Sequence, residues 1–121
     1  MKTLKEKFGI GSGAVISAVD LIKGIGVYAG LESIEVEGAT GLYNTNYEGK
    51  AMAACQALCE DGFDFAYIHV EAPDEMGHQG SLEKKIQAIE YLDEKVIKIV
   101  KEQLEKSGHD FRILVLPDHP T

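Results

Sequence analysis

Two carboxylate–imidazole pairs each stand just beyond an apolar run. In "FAYIHV", followed at once by "EAPDEMGHQG", Asp74 precedes His78 by four residues; in "FRILVL", followed by "PDHPT", Asp118 is adjacent to His119. Carboxylate oxygen and imidazole nitrogen, with no thiolate nearby, are donors that favour Mn²⁺, Zn²⁺ or a similar borderline divalent ion over Ca²⁺. Gly77 and Gly80 would let the first loop close tightly around an ion. Pro73 and Pro117 would stiffen the two loops where they leave the strands. Taken singly, a D-x-x-x-H spacing is common by chance and an Asp-His dipeptide is as readily a turn as a ligand pair. Their equivalent placement, each past the end of an apolar strand, is what favours a shared site.

That placement depends on the elements around them. Residues 13–19, "GAVISAV", form a β-branched run bounded by glycine and read as a strand. From Asp20, an N-cap-like residue, "DLIKGIGVYAG" reads as a helix with Leu21, Ile25 and Tyr28 on one face, stopping at Gly30. "SIEVEG" alternates apolar and polar residues as a half-exposed strand does. Residues 38–49 are rich in Gly, Asn and Thr and are expected to be largely loop, and residues 47–60 are Ala-rich and helical. "FDFAYIHV" is a buried strand, followed by the loop that carries Asp74 and His78. Ser81 then opens one long helix, with Leu82, Ile86, Ile89, Leu92, Val96, Ile99, Val100 and Leu104 spaced by threes and fours and an end at Gly108. "FRILVL" is the last strand, and the N-terminal residues are expected to form a short surface helix.

Strands alternating with helices predict an α/β fold, a mostly parallel sheet with flanking helices, in one domain spanning residues 1–121. In such sheets ligands bind beyond the carboxyl ends of the strands. Asp74, His78, Asp118 and His119 should then emerge at one edge.

Composition narrows the function classes. The chain has 121 residues, 45% of them hydrophobic and 26% charged, and a formal net charge of −8. That charge disfavours phosphate backbones and anionic lipid, so nucleic acid and membrane surfaces are poor partners. No apolar run approaches the ~20 residues of a membrane span. Cys55 and Cys59, four apart in a helical stretch, read as small buried residues, and a reducing, cytoplasmic setting is the default. His69, inside an apolar strand, reads as a core histidine, and His109 as a solvated loop residue. Asp20 and Lys23 could face the same edge, but an N-cap and a surface lysine account for them equally well. "GIGSGAVIS" has dinucleotide-fingerprint spacing but precedes a strand instead of following one. The charged face after Ser81, including Lys84 and Lys85, reads as solvated.

Four ordered blocks, "GAVISAVDLIKGIG", "EGATG" with "TNYEGKA", "HVEAPDEMGHQG" and "RILVLPDHPT", together resemble the archaeal-type cofactor-independent phosphoglycerate mutases of the alkaline phosphatase superfamily. The resemblance covers nearly the whole chain but only the C-terminal portion of such an enzyme, and it implies a partial alkaline-phosphatase-like core. It implies two divalent ions, Mn²⁺ favoured and Zn²⁺, Co²⁺ or Mg²⁺ possible, with Asp74 and His78 on one and Asp118 and His119 on the other. It further implies interconversion of 3- and 2-phosphoglycerate through a phosphoserine outside these residues. None of Ser12, Ser17 and Ser81 sits in the nucleophile's context. On this reading the chain alone is inactive and self-associates through exposed sheet edges. A related phosphatase or phosphopentomutase, or a non-catalytic α/β binding module, remain alternative readings.

Overall fold

The computed structural model describes residues 2–119. Helix α1 (Leu4–Phe8) starts on Thr3, whose hydroxyl accepts from the Glu6 amide, and stays on the surface as expected. Three strands follow, β1 (Gly13–Ile16), β2 (Glu32–Ser33) and β3 (Phe65–Ile68), in the order β2-β1-β3. Both pairings are parallel, with Ala14 opposite Glu32 and Ala66, and Ile16 opposite Ile68. The α/β architecture with a parallel sheet is therefore present. Ala14, Val15 and Ile16 are wholly or almost wholly buried, as a central strand covered on both faces must be.

Helix α2 (Asp20–Tyr28) packs on β1 and β2, and α3 (Tyr47–Cys59) on β1 and β3. Asn46 caps α3 through its side-chain oxygen and the Gly49 amide. Next come α4 (Ala72–His78), α5 (Leu82–Leu92), a π-helical turn (Asp93–Ile97) and α6 (Lys98–Ser107), which ends at Gly108 with φ +75°. The main core joins Tyr47, Ala51 and Cys55 of α3 to Ala72, Ala88, Val96, Val100 and Leu104. α4 packs on α5, while α3 packs on the π turn and α6. Burial pushes the Tyr47 hydroxyl up to about 12, Tyr91 adding to the effect, and that hydroxyl donates to the Tyr43 carbonyl at 2.6 Å.

Several expectations need correction. The Asp74–His78 stretch is helical, not a loop: Pro73 occupies the first turn of α4, where its missing N–H is no loss, and Asp74 and Glu75 suit the positive helix start. β1 stops at Ile16 because Ser17 turns its hydroxyl to the Val19 amide. Val19, not Asp20, is then the N-cap of α2. The second strand pairs at Glu32 and Ser33, with one more bond from the Ile34 amide to the Val15 carbonyl. Leu21, Ile25 and Tyr28 face outward, because α2 meets the sheet through Gly26. The long helix after Ser81 is broken in phase by its π turn, which adds about one residue to a turn. Val96, Val100 and Leu104 are buried while Leu82, Ile86 and Ile89 are exposed.

The largest difference lies at residues 111–116. They join no strand ladder, and Leu114 and Leu116 are 81% and 71% exposed. A doubly covered strand needs a neighbour along its edge and layers on both faces, and the described residues supply neither.

Candidate metal centre

The parallel pairing puts the C-terminal ends of β1 and β3 side by side. There the Ser17 hydroxyl lies 3.2 Å from His69 Nδ1, and the His69 amide donates to the Ile16 carbonyl. His69 is thus held as a half-buried, hydrogen-bonded histidine. Burial lowers its pKa; Lys50 acts in the same direction, and Glu71, Asp118 and Asp74 oppose it. Lys50, on α3, is 0% exposed, and its ammonium reaches the His69 carbonyl at 3.4 Å. Burial lowers the Lys50 pKa as well, and Glu71 partly restores it. Nothing in "YEGKAMAAC" distinguishes this lysine from a surface one, so its place beneath the site was not legible.

One turn of α4 brings Asp74 and His78 onto the same helix face. Asp74 Oδ2 lies 3.2 Å from His78 Nε2, and Asp74 Oδ1 lies 3.4 Å from His119 Nε2. The two motifs, forty-odd residues apart in sequence, meet at one carboxylate, whose oxygens each face a different imidazole. The Asp118 charge helps raise the Tyr67 pKa, after burial, and acts on His69. Lys23 pairs with Glu35 at 3.0 Å, so the surface-lysine reading suffices for it. His109 is exposed, with its amide on Ser107 Oγ. Cys55 is buried, Cys59 partly so, and both are free thiols.

A cleft of about 600 Å³ opens beside Asp74, bordered by His78, His119, Gly77, Ser81 and Lys85. Lys85, assigned to a solvated face by the sequence pattern, turns into this cleft. The available signal was its position one turn into the helix that follows the D-x-x-x-H segment.

Among the described residues, no three His, Cys, Asp or Glu side chains converge as a finished metal site. The donor set nonetheless suits a divalent ion. Two donors bonded to one ion at about 2.1 Å, at tetrahedral to octahedral angles, lie about 3.0–3.4 Å apart. The Asp74–His78 and Asp74–His119 separations fall in that range. Small side-chain shifts would then convert each contact into a shared coordination.

A model of the Metalloenzyme superfamily matches residues 2–121. The chain belongs to the metalloenzyme superfamily. This metalloenzyme chain is 59% identical over 120 residues to a 2,3-bisphosphoglycerate-independent phosphoglycerate mutase of Methanosarcina acetivorans, a match covering 99% of the chain and 30% of that protein. It is 57% identical over 121 residues to a probable enzyme of the same name from Geobacter sulfurreducens, covering 100% and 29%. Among solved structures it is similar to the PH0037 protein of Pyrococcus horikoshii, with a TM-score of 0.72 and 31% identity over 86% of the chain and 29% of that protein. The chain thus spans about 30% of the length of these relatives. Metal use goes with the superfamily. Among the described residues no helix is long and apolar enough to cross a membrane.

The histidine beneath the site gives a testable pH dependence. The folded pKa of His69 lies below its ordinary value of 6.5. Protons therefore bind the unfolded chain more readily, and stability is full above about pH 6.5 and falls as pH drops towards the folded value. Urea midpoints measured from pH 8 to 5 should decline for the wild type, and less steeply for His69→Gln. Parallel slopes for the two proteins would remove His69 as the cause.

Proposed function

We propose that this chain is the metal-holding part of a cofactor-independent phosphoglycerate mutase, acting in a soluble, cytoplasmic setting. The observation that carries the reading is the meeting of His78 and His119 on the two oxygens of Asp74, at the carboxyl edge of a parallel sheet. The names of the relatives give the substrate class, a phosphorylated glycerate. Asp74 and His78 would hold one divalent ion, and Asp118 and His119 a second, with Mn²⁺ favoured for this mixed oxygen and nitrogen donor set. When bound, such a pair of ions offsets phosphate charge and lowers the pKa of an attacking hydroxyl.

The chain's own residues have separate tasks. α4 holds Asp74 and His78 one turn apart, so their relative position is set by helix geometry. Lys50 anchors the first carbonyl after β3, that of His69, and its buried ammonium interacts with the Glu71 charge. Ser17 fixes one ring nitrogen of His69 and thereby the ring's orientation under the site.

The test uses the intact native protein that carries this sequence, supplied with 3-phosphoglycerate and Mn²⁺ and without 2,3-bisphosphoglycerate. Phosphorus NMR should follow conversion to 2-phosphoglycerate, and Asp118→Ala should abolish it. Release of free phosphate without conversion would point to a phosphatase relative. No turnover of any phosphoester would remove the catalytic reading.

A further inference from the structure

The cleft beside Asp74 is bordered by groups of two kinds. Asp74, His78 and His119 are of metal-ligand type. Lys85 stands with Gly80, Ser81 and Leu82 at the start of α5. Lys85 is half-buried and makes no ion pair with any described residue, in a chain with 20 acidic side chains against 12 basic ones. Its neighbour Lys84 is differently placed, its ammonium lying 4.8 Å from the centre of the Tyr43 ring. A Cβ built on Gly77 would come within 3.1 Å of Lys85 Nζ, so the missing side chain of α4 is what admits the ammonium. The first amides of α5 lack intrahelical acceptors, and the helix start adds partial positive charge on the same side.

We infer that Lys85, seated over Gly77 with the first turn of α5 behind it, is a binding residue for a phosphate group in this cleft. A lone ammonium acts on phosphate as a point charge with three donors, without the bidentate fork by which arginine matches carboxylate and phosphate alike. Of the charged groups that border the cleft, the Asp74 carboxylate disfavours an anion and the Lys85 ammonium attracts one directly. The phosphoester class rests on the function proposed above; the anion site itself rests on the cleft and the unpaired lysine.

The experiment titrates inorganic phosphate, without metal, into the intact native protein and follows the amide resonances of Gly77, Gly80 and Leu82. Saturable shifts at these amides are expected for the wild type. Lys85→Met should weaken binding about tenfold to a hundredfold, as loss of a charge-assisted contact does. Lys85→Arg should retain most of the affinity, and Lys84→Met should leave it unchanged. No saturable phosphate binding by the wild type would overturn the assignment, and so would Lys85→Met binding as tightly as wild type while remaining folded by circular dichroism. Equal losses from Lys84→Met and Lys85→Met would also overturn it, by showing general charge attraction. Phosphate binding lost in Lys85→Met, in a protein that turns over no phosphoglycerate, would keep the anion site and reject the mutase reading. In an active protein, the same variant should raise KM for phosphoglycerate more than it lowers kcat.

Discussion

Asp74→Ala should weaken Mn²⁺ binding by the intact protein by more than about a hundredfold, beyond the 10–100-fold typical of losing a group that only supports a ligand. The size of the effect follows from the position of this carboxylate. His78 and His119 approach different oxygens of Asp74, at 3.2 and 3.4 Å. Removing either histidine leaves the other contact in place, whereas removing Asp74 separates both. His78→Ala and His119→Ala should each therefore cost less than Asp74→Ala. The aspartate variant should also approach the loss shown by the double histidine variant. Titration of Mn²⁺ followed by electron paramagnetic resonance measures all four proteins directly. An Asp74→Ala protein with wild-type affinity would remove this carboxylate from the site. Equal effects of the three single substitutions would deny it the central place.

The second large effect concerns stability. A Cβ on Gly26 would lie 2.6 Å from Val15 Cγ1 and 2.9 Å from Val15 Cβ, distances that no packed side chains tolerate. Val15 cannot yield, because it is fully buried in the central strand. Gly26→Val should then cost about 3 kcal/mol or more, the upper end of overpacking penalties. Removing a mid-helix glycine returns only about 0.5–1 kcal/mol. Val15→Ala alone should also destabilise, through lost burial and a cavity. Combined with Gly26→Ala, however, it removes both Cγ contacts and leaves the new methyl only the 2.9 Å approach to the residue 15 Cβ to relieve. The pair should therefore be less destabilised than the sum of its single substitutions by about 1 kcal/mol or more, within the range of contacting residues. Urea unfolding of the four proteins gives the cycle. Strict additivity would mean that α2 does not bear on Val15 as described.

These two effects differ in how far they could be read from sequence. The apolar run around Val15, the β-branched "FAYIHV" and the cap signals at Ser81 and Gly108 are local, and each marks its element with little ambiguity. The parallel sheet followed from their alternation. What failed depends on distant partners or on competing local signals. "FRILVL" has the composition of a buried strand, yet composition cannot supply the neighbour that a ladder requires. Pro73 and Gly77 suggested a loop, although proline at a helix start and glycine under a lysine are both compatible with α4. Leu21, Ile25 and Tyr28 share a helix face, but Gly26 on another face decides which side meets the sheet. Asp74 with His78, and Asp118 with His119, stand out in the sequence as candidate ligand pairs, whereas the contact of both imidazoles with the one Asp74 carboxylate is a tertiary feature. Lys50 and Lys85 were invisible because burial and direction are tertiary properties.

The absence of a ladder at residues 111–116 bears on how tightly an ion could be held. α4 presents Asp74 and His78 on a folded helix, but Asp118 and His119 are delivered at the end of a stretch without regular structure. Such a tether supplies its donors at an effective concentration set by chain length, lower than a rigid strand would give. Holding it beside Asp74 costs backbone entropy, about 1–2 kcal/mol for each residue fixed, with no ladder hydrogen bonds in return. Whatever pairs with residues 111–116 would raise metal affinity without touching the metal.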